Sequence, residues 1–395
     1  MNIDKAKELV LKAGIKLMKS GLIVGTWGNV SCRIDDKYFA VTPSGRSYDT
    51  LTSDDIVVVN IWNGSYSGNI KPSSEKNIHA EVYKLFPEVN FVIHTHQEYA
   101  SIISSSSLDK IRLEKHYPYI GNEIPFADYA LPGTDALKNN VIKTLRESKA
   151  KTVILKNHGV LCLGTDFEEA FSIAFELEKA CNDIIISRYL KLSGKNEFNA
   201  EEMIKFSLSF KGKVIKDIDS KTEILYTNCK RTENSIIAYG NNTGIKVVDE
   251  LEAEMSGEIK VYYSILKKYN DVNNILLINT PAIETLCHYD IELKPLLDDF
   301  AQIACTGAKI IPFDPDYIVN ALTESLVVLI QNIGALCCGR NEIEANTVAM
   351  ITQKNCKAFI GASLFGELDF INPTECITMY NNYLNNYSKL DEVNK

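Results

Sequence analysis

The sequence has no concentrated positive charge, no long hydrophobic run and no paired cysteine motif. Lys and Arg number 42 against 51 Asp and Glu, giving a net charge of -9, and no long basic tract offsets it. That balance argues against a nucleic-acid partner or an anionic membrane surface. It leaves room for a small anionic substrate, which needs only a local cradle. No apolar stretch is long enough to span a bilayer. The opening MNIDKAKELVLKAGIKLMKSGL has the period of an amphipathic helix and lacks the unbroken apolar core of a signal peptide. The ten cysteines form no Cys-x-x-Cys pair, and several sit inside apolar runs such as GVLCLG and GALCCG. Reduced, buried thiols fit best, and the sequence predicts a cytoplasmic protein.

At 395 residues, 45% hydrophobic and 24% charged, the chain is long enough for two domains of ordinary size. Histidine is scarce, six in all, and five of them (His79, His94, His96, His116 and His158) fall in the first half; His288 stands alone. In FVIHTH an apolar strand pattern runs into His94 and His96, and side-chain alternation puts both on one face at its end. In KTVILKNHGVLCLG two apolar runs meet at an Asn-His-Gly turn carrying His158. Three imidazoles from two strand ends, completed by a carboxylate or water, is the pattern of a catalytic zinc site. A lone histidine is more often a satisfied polar residue, so the neighbouring motifs matter.

GTWGNVSCRI puts Gly25, Gly28 and Asn29 before a strand-like run, and VTPSGRS sets a turn with Ser44 and Gly45 between two more. KPSSEKNIHAEVYKLF opens an amphipathic helix with Ser73, Ser74 and Glu75. Small hydroxyl residues at a helix start suit a phosphate, although such residues are more often only caps and turns.

In order, GTWGNVS, VTPSG, KPSSE, HTH and KNHG resemble the class II aldolase and adducin family, over residues 1 to about 210. The resemblance implies a three-layer α/β/α fold with a mixed, largely antiparallel sheet. It implies a zinc ion on His94, His96 and His158, a phosphate cradle of Gly28, Asn29, Ser44, Gly45, Ser73 and Ser74, and an acid-base role for Glu75. It also implies a tyrosine contributed by a neighbouring subunit of a ring-shaped homo-oligomer, and HYPYIG matches that segment with Tyr117. The implied reaction is cleavage of a small ketose 1-phosphate, similar to L-fuculose 1-phosphate, into dihydroxyacetone phosphate and a short aldehyde. Neutral imidazoles leave the metal its charge to stabilise the anion formed when the carbon-carbon bond breaks. Dehydration, epimerisation or decarboxylation at the same site remain alternatives, as does a non-catalytic, adducin-like interaction protein. Glutamate after PSS argues against the epimerase branch, and the intact histidines argue against the non-catalytic one.

Residues 211 to 395 read as a worn copy. TVILKNHGVLCLGTDFEEA runs in step with VVLIQNIGALCCGRNEIEA, so Asn157, His158 and Gly159 face Asn332, Ile333 and Gly334. EVNFVIHTHQEYAS matches DVNNILLINTPAIET, and on this alignment His94 and His96 fall opposite Asn279 and Pro281, with Glu75 near Met255. The expectation is therefore a catalytic domain at 1–210 and a degenerate domain without metal ligands at 211–395.

Overall fold

Strands β1 (Asn29–Arg33), β2 (Tyr38–Val41), β3 (Val57–Asn60), β4 (Phe91–Thr95), β5 (Lys110–Arg112), β6 (Glu123–Ala127), β7 (Thr152–Leu155) and β8 (Gly159–Gly164) form one sheet in the computed structural model. Its order is β3-β2-β1-β4-β8-β7-β6-β5. All neighbours are antiparallel except β6 and β7. The structure describes residues 1–23, 27–208, 224–233, 235–240, 244–249, 257–289 and 291–385. Gly25, Met255 and the expected boundary at 210 lie outside these.

Alternation along the strands sets the layers. Val92, Val153, Leu155, Leu161 and Leu163 turn to one face, where Ile78, Val82 and Tyr83 of helix Lys76–Leu85 and Leu137, Val141 and Leu145 of helix Asp135–Ser148 complete a core. The intervening Phe91, Ile93, Val160 and Cys162 are also buried, and helix Phe167–Ser193 packs on β4 and β8. The N-terminal pattern forms helix Ile3–Ser20, capped by the Asn2 side chain and ended at Gly21, whose φ of 72° suits glycine. The result is the expected three-layer α/β/α unit with a mixed, largely antiparallel sheet.

Two compact units divide the chain at Asn196 and Glu197, with Leu364–Asp369 and a short piece from Asn382 returning to the first. The second unit contains β9 (Asn228–Arg231), β10 (Ser235–Gly240), β11 (Gly244–Asp249), β12 (Asn274–Ile278), β13 (Ile310–Ile311), β14 (Val327–Ile330) and β15 (Gly334–Gly339). Their order, β11-β10-β9-β12-β15-β14-β13, repeats that of the first sheet except for its edge strand β5, and includes the single parallel pair, here β13 and β14.

The repetition extends to backbone detail. Asn157 and Asn332 both adopt left-handed conformations, with φ of 57° and 59°. Arg33 donates from Nε to the Val89 carbonyl (2.9 Å) and from Nη2 to those of Tyr83 (2.7 Å) and Phe86 (3.1 Å), gripping the end of helix Lys76–Leu85. Arg231 does the same for helix Gly257–Lys268, through the carbonyls of Val272, Leu266 and Tyr269. A cation at a helix C-terminus satisfies carbonyls that lack intrahelical partners.

These pairings correct the sequence alignment of the second half. Thr95 pairs with Val160 and Ile278 with Ala335, so His94 corresponds to Leu277 and His96 to Asn279, rather than to Asn279 and Pro281. Leu277 belongs to the hydrophobic core of its unit. The arginine grips likewise align Glu75 with Glu258, not Met255. Glu258 is buried, and its Oε1 accepts from the backbone N–H groups of Leu225 (3.0 Å) and Tyr226 (3.1 Å). The carboxylate persists there as a backbone anchor. Among the described residues no helix is long and apolar enough to cross a membrane.

Candidate metal centre

β4 lies at the middle of the first sheet, and His94 is its fourth residue, opposite Asn29 on β1 and Leu161 on β8. It shares its face with Val92, hence with helix Lys76–Leu85. His158 sits in the turn between β7 and β8, closed by its own N–H to the Leu155 carbonyl (3.2 Å). His96 follows the end of β4. The turn therefore brings three imidazoles together, with one ligand nitrogen from each lying within 4.8 Å of the others. All three are buried.

The donor chemistry fits a divalent metal ion. His94 Nδ1 is 2.9 Å from the Val160 carbonyl, which can only accept, so this nitrogen carries the proton and Nε2 keeps its lone pair. That Nε2 stands 3.0 Å from Nε2 of His96. Burial holds His94 well below its usual pKa, against the opposing pull of Glu75, and so favours the neutral ligand form.

Glu75, the residue before helix Lys76–Leu85, closes the cluster. Its Oε1 is 2.9 Å from His158 Nε2 and its Oε2 is 3.3 Å from His94 Nε2. Oε2 also accepts from Asn29 Nδ2 at 2.9 Å. Burial raises the proton affinity of this carboxyl, but the hydrogen bonds from His158 and Asn29 outweigh it and hold its pKa well below the usual carboxylate range. A buried, ionised carboxylate beside a metal cluster can move a proton.

The segments expected to cradle phosphate are neighbours. Pro43 and Pro72 form a bridge, Ser73 N–H donates to the Thr42 carbonyl (3.0 Å), and Ser44 N–H donates to that of Lys71 (2.9 Å). Tyr48 donates to the Gly28 carbonyl at 2.9 Å, and Ser73 Oγ accepts from Glu75 N–H at 3.2 Å. Gly45 is left-handed with φ of 66°. Ser74, on the other side of Ser73 from the bridge, is exposed.

Tyr117 is placed elsewhere. Its ring is buried and its hydroxyl donates to Asp183 Oδ2 (2.9 Å) on helix Phe167–Ser193, where Lys115 also binds. Burial and Asp183 together push its pKa up to about 12.

Sequence reasoning missed Ser31, His79 and Tyr83, which stand behind Glu75. The signal was present: Glu75, His79 and Tyr83 recur at four-residue spacing along one helix, and Asn29 and Ser31 at two-residue spacing along one strand. Two polar stripes of matching period point to faces that meet.

A sequence profile described as the class II aldolase and adducin N-terminal domain matches residues 8–185. The chain is 30% identical over 179 residues to 5-deoxy-D-ribulose 1-phosphate aldolase of Bacillus thuringiensis, covering 45% of this chain and 83% of that protein. It is 33% identical over 200 residues to L-fuculose phosphate aldolase of Haemophilus influenzae, covering 49% and 85% respectively. A solved L-fuculose 1-phosphate aldolase is similar at 30% identity and a TM-score of 0.44, over 52% of this chain and 96% of that one. On its identity to these two relatives, each covered over more than four fifths of its length, the chain belongs to the class II aldolase and adducin family.

Proposed function

We propose that the protein is a zinc-dependent aldolase that cleaves a small ketose 1-phosphate, resembling L-fuculose 1-phosphate, into dihydroxyacetone phosphate and a short aldehyde. The observation that carries this reading is the ionised Glu75 carboxylate held 2.9 Å from His158 and 3.3 Å from His94 within a three-imidazole cluster. Relatives named as aldolases of two ketose phosphates support the substrate class.

In this reading His94, His96 and His158 hold the metal, which supplies positive charge to stabilise the anion left when the bond between C3 and C4 breaks. Glu75 moves the proton at the carbon that loses its bond. Gly28, Asn29, Ser44, Gly45, Ser73 and Ser74 receive the phosphate through N–H and hydroxyl groups, with no Lys or Arg required. Tyr117, presented by a second copy in a homo-oligomer, lies on the path by which the C4 hydroxyl loses its proton as the aldehyde forms, and gives a proton to the aldehyde oxygen in the reverse direction, after its bond to Asp183 opens. We assign catalysis to residues 1–210, a structural role to 211–395, and the whole chain to the cytoplasm.

The test is incubation of the zinc-loaded protein with a panel of ketose 1-phosphates, following dihydroxyacetone phosphate with an NADH-consuming reductase. Release from at least one is expected. A fully loaded protein inert toward all of them would refute the proposal.

A further inference from the structure

Glu75 and the four buried polar side chains behind it form one continuous line. Asn29 Nδ2 donates to Glu75 Oε2 at 2.9 Å, Asn29 Oδ1 lies 2.5 Å from His79 Nε2, His79 Nδ1 lies 2.6 Å from Ser31 Oγ, and that oxygen lies 2.7 Å from Tyr83 Oη. None of the five residues is more than 6% exposed. A core histidine with two hydrogen bonds is ordinarily just a satisfied polar group. Here the line ends on a carboxylate, and that gives it a direction.

An ionised carboxylate only accepts, so Asn29 turns its N–H toward Glu75 and its carbonyl oxygen toward His79. His79 Nε2 must then carry a proton to donate. Burial lowers the His79 pKa to about 4, so the ring is neutral and holds only that one proton. His79 Nδ1 therefore accepts from Ser31, and Ser31 in turn accepts from Tyr83. Every donor points toward Glu75.

We propose that His79 is a positioning residue that acts through Asn29: its Nε2–H fixes the Asn29 amide so that an N–H, not a carbonyl oxygen, faces the Glu75 carboxylate. This rests on the reading of Glu75 as the reaction's acid-base group. Without the donor, the amide is able to turn over and set its oxygen against the carboxylate. Repulsion would then move Glu75 off its line to the substrate, and small displacements of a reacting group are costly.

Two substitutions separate the halves of the ring. His79→Gln puts an amide N–H where Nε2 stood and keeps the donor to Asn29. His79→Asn places its amide where Nδ1 stood and loses that donor. His79→Asn should lower kcat by roughly 10- to 100-fold with KM and zinc content unchanged, while His79→Gln stays within about 5-fold of the wild type. Equal kcat in the two variants would overturn the proposal. A second readout needs neither metal nor activity. Nitrogen-15 NMR of the uniformly labelled, metal-free wild type should show His79 as the neutral tautomer protonated at Nε2, with its ring signals assigned in the wild type itself by backbone-to-ring correlations. The opposite tautomer would overturn the proposal even if both variants failed to fold. A wild type inert toward every ketose 1-phosphate would refute the proposed function alone, and the tautomer would still decide the role of His79.

Discussion

A Cβ built on Gly159 would stand 2.3 Å from the carbonyl oxygen of Thr95 and 3.2 Å from both the His94 and His96 rings. The close approach of the turn to β4 is what presses His158 against the other two imidazoles. Gly334 makes the same approach to the carbonyl oxygen of Ile278, at 2.4 Å, with no imidazole nearby in its contact shell. Gly159→Ala should therefore destabilise by ~1–3 kcal/mol and weaken metal affinity at least tenfold. Gly334→Ala should cost comparable stability and leave metal affinity unchanged. Calorimetry with metal titration distinguishes them, and equal metal loss in both variants would contradict the account.

His158→Ala should reduce bound zinc from one per chain to a small fraction while the fold survives, because the residue sits in a turn at the end of the sheet. Elemental analysis beside circular dichroism checks both halves. Retention of stoichiometric zinc would remove His158 from the ligand set.

Glu75→Gln preserves shape and removes the base. Turnover should fall by roughly two to four orders of magnitude, the usual contribution of general acid-base catalysis, with zinc content kept. Near-normal turnover would reduce Glu75 to a residue that merely begins a helix.

Tyr117→Phe deletes the hydroxyl bound to Asp183, at a stability cost of about 1 kcal/mol. If the tyrosine also serves a second copy's site, kcat should fall at least tenfold at unchanged zinc content. A loss of stability alone, with full kcat, would confine Tyr117 to its contact with Asp183. Mass measurement in solution gives the number of copies.

The pH dependence of stability follows from His79. Its folded pKa of about 4 lies below the ordinary value of 6.5, so between these values the unfolded chain binds the extra proton. Stability from this residue is complete above pH 6.5 and is lost as pH falls toward 4. At 1.36 kcal/mol per unit the contribution is at most about 3 kcal/mol. Urea unfolding of metal-free wild type should weaken across that window more than that of His79→Gln. Parallel profiles would mean that burial does not hold the ring neutral.

The three imidazoles were legible because each lies within a few residues of a strand end whose apolar pattern announces it. Glu75 was legible because PSSE opens a helix. The line behind it was legible only as two separate polar stripes, because Asn29 and His79 meet only when helix Lys76–Leu85 lies over β1 in one register, which neither segment states alone. The two-residue slip at His94 in the second half was not forced by the residues: EVNFVIHTH and DVNNILLIN set in step already put Leu277 opposite His94, and the pairing of β12 with β15 agrees. The grip of Arg33 on three carbonyls was invisible because its acceptors are backbone atoms.

The left-handed asparagine recurs in the second unit with no histidine beside it: Asn332 has a φ of 59° and Ile333 follows it, where His158 stands in the first unit. The molecule thus carries its own control experiment. Arg33 and Arg231, Asn157 and Asn332, and Gly159 and Gly334 survive in both copies, so they answer to the demands of building the sheet. His94, His96 and His158 occur in one copy only, and by register His79 is matched by Tyr262, whose hydroxyl donates to the Tyr226 carbonyl at 2.6 Å. The His79 ring is thus absent from the unit that lacks the three imidazoles, and Glu258, in the register of Glu75, serves there as a mechanical tie to the backbone.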